Sequence, residues 1–104
     1  MAEPKIKIPK KELAEFCRRW KITEFSLFGS ALRADFGPKS DVDALVSFSP
    51  DAHWTFFDLA NMQQELESLF DQPVDLISRR GLESSRNYIR RKAILESAEV
   101  IYAT

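Results

Sequence analysis

The residues best suited to chemistry are Gly29-Ser30, which close the apolar run Phe25 to Phe28, and Asp41 and Asp43, which open the run Val42 to Phe48. Ten residues separate Ser30 from Asp41. Successive side chains of a strand point to opposite faces, so Asp41 and Asp43 share a face, roughly 7 Å apart along the backbone. Two carboxylates so placed repel each other unless a cation lies between them. Hard oxygen ligands favour Mg²⁺, which keeps waters and shares its shell with substrate phosphates. A Gly-Ser turn opening a helix is the matching half, because N–H groups at a helix N-terminus attract phosphate. Phosphate cradle and acidic pair together suggest nucleotide chemistry.

A third acid, Asp75, sits inside the apolar run Val74-Asp75-Leu76-Ile77. An unpaired carboxylate buried there would be costly. If that strand neighbours the Asp41/Asp43 strand, three carboxylates converge. Two of them would bridge two metal ions about 4 Å apart, the geometry that stabilises attacking and leaving oxygens in phosphoryl transfer. Asp75 would complete the site on the acceptor side and help deprotonate an attacking hydroxyl. Taken singly, Asp41 reads as a turn cap, Asp43 as a surface strand residue and Asp75 as an arginine's partner. Taken together behind Gly29-Ser30, they favour the metal site.

The elements that must position these residues are readable from periodicity. Pro9 can open a helix to about Trp20, with Leu13, Phe16, Cys17 and Trp20 at helical spacing. Ile22 to Phe28 reads as a strand, and Ser30 to Ala34 as a short helix with Ser30 as N-cap. A Gly-Pro loop precedes the strand Val42 to Phe48. A longer helix follows from about Trp54 to Phe70, with Leu59, Met62, Leu66, Leu69 and Phe70 as its buried stripe. Val74 to Ile77 is a short strand. Gly81 is expected to break the chain before a last helix near Glu83 to Ser97, and Val100 to Tyr102 to add an edge strand. This order implies an α/β (α+β) domain, a mixed sheet of about four strands with helices mainly on one face.

Composition sets the outer limits. The chain of 104 residues is expected to form one small domain. Fifteen basic and sixteen acidic residues give a net charge of −1, which argues against a general polyanion binder. Basic residues cluster at Lys5, Lys7, Lys10, Lys11, Arg18 and Arg19, and again at Arg79, Arg80, Arg86, Arg90, Arg91 and Lys92. Such clusters read first as solvated faces and second as docking surfaces for an acidic partner, RNA or triphosphate. The single cysteine, Cys17, excludes an intramolecular disulfide and reads as a packed thiol. His53, the only histidine, has no companion ligand nearby and reads as a loop or helix-start residue. No apolar run reaches the length of a membrane span, and the expected location is the cytoplasm.

Phe28-Gly29-Ser30-Ala31-Leu32-Arg33 and Ser40-Asp41-Val42-Asp43-Ala44-Leu45-Val46 resemble the signature of the DNA polymerase beta-type nucleotidyltransferases. In that pattern a Gly-Ser precedes Asp-x-Asp and a third Asp lies on a later strand. The size resembles the minimal members of that superfamily, and the resemblance covers about Leu13 to Tyr102. It implies the polymerase beta-like fold, with Gly29 and Ser30 holding the β- and γ-phosphates of ATP and Arg33 assisting. It implies Mg²⁺, two ions, on Asp41 and Asp43, with Asp75 as the third catalytic carboxylate. Ala34 and Ala44 depart from the residues common in relatives without touching the acids. Larger relatives add an acceptor-binding domain, for which this length leaves no room, so the acceptor is expected from a partner.

Minimal nucleotidyltransferases of this kind pair with a HEPN-class ribonuclease toxin and, as antitoxins, place AMP on its tyrosine. The resemblance therefore implies a heteromeric toxin–antitoxin pair and no direct binding of nucleic acid. Trp54, Phe56 and Phe57 offer an apolar contact patch, although at least two of them are expected in the core. The rival readings are a binding-only antitoxin that acts by occlusion, and a transferase acting on a small molecule or an RNA end.

Overall fold

The structure, a computed structural model, describes residues 8–29, 41–84 and 86–103. Helix α1 (Lys10–Arg19) starts beside Pro9, whose carbonyl accepts the Leu13 N–H at 2.8 Å. Its residues Leu13, Phe16 and Cys17 are buried, while Arg18 and Arg19 complement the negative end of the helix dipole. Lys21 adopts a left-handed turn (φ 57°) that delivers the chain into β1 (Ile22–Phe28).

Strand β1 is central. It pairs antiparallel with β2 (Val42–Phe48) on one side and antiparallel with β4 (Glu99–Ala103) on the other. Strand β3 (Val74–Ser78) pairs parallel with β2, giving the order β3-β2-β1-β4. The parallel pair needs a crossover, which α2 (Phe56–Phe70) supplies.

Helix α2 begins two residues later than the apolar pattern suggests, and the cause is chemical. Thr55 and Asp58 form a reciprocal cap: the Asp58 N–H donates to Thr55 Oγ1 at 3.3 Å, and the Thr55 N–H donates to Asp58 Oδ2 at 2.8 Å. Met62, Leu66 and Phe70 are buried, with Leu59 and Leu69 at the margin of the same cluster.

The expected last helix is two helices. Gly81 does not break the chain; it lies inside α3 (Arg79–Glu83), where its N–H donates to the hydroxyl of the N-cap Ser78 at 3.1 Å. The break comes after Glu83, and α4 (Tyr88–Ser97) restarts where the Asn87 side chain accepts the Arg90 N–H at 3.0 Å.

Alternation along the strands divides the core. Phe25 and Leu27 of β1, Val42, Ala44 and Val46 of β2 and Val74 of β3 face α1 and α2 in the larger cluster. Phe28 and Leu45 face the other way, against Leu82 of α3 and Ile94 of α4. Helices α1 and α2 thus share one face, and α3 and α4 cover part of the other. Cys17 is fully buried in the larger cluster, and burial pushes its thiol up to about 12, so it stays protonated and unreactive. Among the described residues no helix is long and apolar enough to cross a membrane.

Candidate active site at the Gly29 end of the sheet

The strand register brings Gly29, Asp43 and Asp75 to one end of the sheet. Phe28, the last residue of β1, is paired with Asp43 of β2, and Gly29 follows directly. Gly29 has φ +63°, and a Cβ there would stand 2.6 Å from Asp43 Oδ2. Glycine is therefore required twice, by its backbone conformation and by the approach of a carboxylate. On the other side of β2, Asp43 lies opposite Asp75 of β3 in the parallel ladder. Neighbouring strands are about 4.8 Å apart, so these two carboxylates rise side by side from adjacent backbones.

Asp41 precedes β2, two positions before Asp43, and is exposed; Asp43 is half-buried. Asp75 departs from expectation: it is exposed and not embedded in an apolar environment. The reason is that β3 is the edge strand of the sheet, where Val74 and Leu76 turn to the large core and Asp75 turns away from it. Ser30 and Arg33, expected to hold phosphate, lie outside the described residues.

Carboxylates on neighbouring strands repel each other, less so where water screens them. A divalent cation would remove that repulsion. Among the described residues no three acidic, imidazole or thiol side chains close into a ligand set. The donor chemistry nevertheless fits Mg²⁺, which is commonly bound through one or two carboxylates and completes its shell with water and phosphate oxygens. The bare backbone of Gly29 against Asp43 leaves such oxygens room to approach.

The start of β3 is held by a residue outside the Gly-Ser and Asp-x-Asp motifs. The Val74 N–H donates to Glu67 Oε2 of α2 at 3.1 Å, and the Val42 N–H donates to the Pro73 carbonyl at 2.8 Å. The signal available in the sequence was an acid in the last turn of a helix, where the dipole disfavours it.

Several other residues play lesser parts. A cleft of about 530 Å³ lies at the opposite end of β2 and β3, lined in part by Phe48, His53, Trp54 and Arg80, away from the three carboxylates. His53 is an exposed loop residue on its wall. Of the three aromatics after Pro50, only Trp54 packs inward, edge-on against Trp20. Phe56 and Phe57 are 90% and 84% exposed, because they occupy the first positions of α2 beyond the reach of the core stripe. Basic residues behave as solvated faces where they are paired: Arg19 with Glu65 at 2.9 Å and Arg79 with Glu83 at 3.1 Å.

The mixed four-stranded sheet agrees with the fold expected of a nucleotidyltransferase domain, and it brings Gly29, Asp43 and Asp75 to one end. Comparison with known families agrees: the nucleotidyltransferase domain family matches residues 10–100, and the chain belongs to that family. A Methanocaldococcus jannaschii protein with the provisional name protein adenylyltransferase is 28% identical over 64 residues, 62% of this chain. The match spans 64% of that relative's length. A solved minimal nucleotidyltransferase superposes with a TM-score of 0.66 at 29% identity, covering 86% of each chain. A complex of a tri-AMPylated HEPN toxin with its MNT antitoxin, from Shewanella oneidensis, contains the same fold. It has a TM-score of 0.62 at 21% identity, over 91% of this chain and 70% of that one.

Proposed function

We propose that this chain transfers AMP from ATP onto a tyrosine hydroxyl of a HEPN-class ribonuclease toxin, for which it is the antitoxin. The observation that carries the reading is the placement of Asp43 between the bare backbone of Gly29 and the carboxylate-bearing strand of Asp75. The name of the archaeal relative and the AMPylated toxin in the Shewanella complex support the acceptor class.

In this reading Gly29 and Ser30 cradle the β- and γ-phosphates, and Arg33 adds charge to the same end of the triphosphate. Asp41, Asp43 and Asp75 would hold Mg²⁺, one ion or two, which when bound neutralises charge on the triphosphate and on the reacting oxygens. The acceptor hydroxyl oxygen attacks the α-phosphorus, the bond to pyrophosphate breaks, and the hydroxyl proton passes to a carboxylate oxygen of Asp75. Exposure of Asp75 at the sheet edge leaves that oxygen reachable by a side chain from another protein. Orientation of the acceptor supplies much of the rate in such reactions, so the partner itself completes the enzyme.

The test is mass spectrometry of the cognate helical toxin after incubation with this protein and Mg-ATP. The expected result is a mass gain in whole AMP units on tyrosine, abolished in Asp43→Asn. A toxin neutralised at equimolar antitoxin without any mass gain would establish the binding-only reading. Label appearing on RNA or a small alcohol would establish the third.

A further inference from the structure

We infer that Glu67 is a positioning residue that sets Asp75 against Asp43, an inference that rests on the functional reading above. The peptide unit joining Pro73 to Val74 is held from both sides. Its carbonyl accepts the Val42 N–H at 2.8 Å, and its N–H donates to Glu67 Oε2 at 3.1 Å. Val42 stands between Asp41 and Asp43, and Val74 directly precedes Asp75. One peptide plane therefore couples all three carboxylate-bearing positions to α2.

The choice of acceptor is informative. Glu67 lies in the last turn of α2, where no basic residue offsets the negative end of the helix dipole. It also brings a further negative charge toward an end of the sheet already carrying Asp41, Asp43 and Asp75. Neither placement favours a carboxylate, and the bond that it makes is charge-assisted and so stronger than a neutral one. Strand β3 lies at the edge of the sheet, so the outward side of Val74 has no neighbouring strand to hold it. Glu67 takes the place of that strand at the single residue next to Asp75. Val74 itself is 3% exposed, so its N–H has little access to water as a substitute partner.

Two readouts test this in the full chain. Amide hydrogen exchange reads the pin directly: Glu67→Ala is expected to speed exchange at Val74 by about tenfold or more while leaving Phe25 and Leu45 protected. Glu67→Gln, which keeps an acceptor oxygen, is expected to stay within a few-fold of the parent. In transfer assays Glu67→Ala is expected to lower kcat about 10–100-fold, the usual cost of losing a residue that orients a site ligand. KM for ATP should hardly move, and Glu67→Ala should cost nothing further in an Asp75→Asn background.

Unchanged exchange at Val74 would overturn the inference, as would exchange raised evenly across the sheet or kcat losses that multiply with Asp75→Asn. If Glu67→Ala fails to fold, exchange and kcat in Glu67→Gln and Glu67→Asp decide, the shorter side chain being expected to behave like the loss. A parent protein that transfers no nucleotide would remove the functional reading, while the exchange at Val74 would still decide whether Glu67 pins the strand.

Discussion

Among the described residues, thirteen buried side chains from α1, α2 and three strands interlock on one face of the sheet; on the other, four carry the contact with α3 and α4. Strand β2 serves both. Val42, Ala44 and Val46 are fully buried on the thick side, while Asp43 and Leu45 alternate onto the thin one. The difference shows how a charged pair is held accurately without being buried. Residues on a regular strand are positioned more precisely than residues on a loop, and the strand here is anchored through its back. The thin face is left open enough for acids and for whatever binds to them.

The largest effects should separate the faces completely. Asp43→Asn is expected to lower transfer about a thousandfold, since lost charge stabilisation is worth several kcal/mol. Thermal melting should stay close to the parent, because the exchange keeps the side chain's size and a hydrogen-bonding oxygen. Phe25→Ala, a fully buried ring on the thick face stacked against Phe70, should cost about 3–5 kcal/mol of stability. Ile94→Ala on the thin face should fall near the lower end of the 2–5 kcal/mol range for such truncations. An Asp43→Asn protein that melted well below the parent would break the comparison, since the site would then be part of the scaffold.

A smaller effect is expected where the two faces meet the turn. Gly29→Ala places a side chain in a left-handed conformation, at about 1–2 kcal/mol, and pushes on the Asp43 carboxylate. Calorimetric titration should find Mg-ATP binding weakened far more than binding to the partner protein. Equal loss of both would mean that the turn is structural and has no role in cradling phosphate.

The smallest effect belongs to the far end of the sheet. The Asp51 carboxyl lies at about 2, below the ordinary 3.8, chiefly through a hydrogen bond from the Ser49 hydroxyl and then through Lys21, whose Nζ is 3.0 Å away. A carboxyl lowered on folding contributes stability that is fully present above pH 3.8 and lost as pH falls through about 2. Full exposure keeps the contribution slight. Lys21→Met should therefore lower stability slightly at neutral pH, a difference that vanishes as pH falls through about 2 and that circular dichroism along an acid titration resolves.

Legibility in the sequence tracked how local the cause was. Strands β1 and β2 were readable to their ends because alternation, Gly29 and Pro50 bound them without ambiguity. The neighbour relation of Asp43 and Asp75 was readable only as a condition, since nothing in a single strand says which strand lies beside it. Three features needed tertiary information. Gly81 looked like a breaker, yet the Ser78 cap tolerates it within a helix. At least two of Trp54, Phe56 and Phe57 looked like core residues, yet the Thr55–Asp58 cap fixes a helix start that leaves Phe56 and Phe57 in solvent. Asp75 sits in an apolar run, but alternation turns it to the face that α3 and α4 cover only in part. Glu67 showed in the sequence only as an acid in the last turn of a helix, because its role depends on one backbone N–H seven residues away.

The pairing of Trp20 with Trp54 has a practical side. These are the chain's only tryptophans, their ring centroids are 5.1 Å apart, and the Trp54 indole N–H donates to the Trp20 carbonyl at 2.9 Å. Both lie toward the Phe48 end of β2, about 17 Å along the strand from Asp43 at some 3.4 Å per residue. Intrinsic fluorescence is therefore a gauge of the scaffold that nucleotide at the Gly29 end should leave dark. Emission that shifts on adding ATP would announce a ligand in the 530 Å³ cleft, whose wall Trp54 forms. Emission that shifts only with urea gives a folding curve for every site variant, read in the presence of substrate and uncontaminated by it.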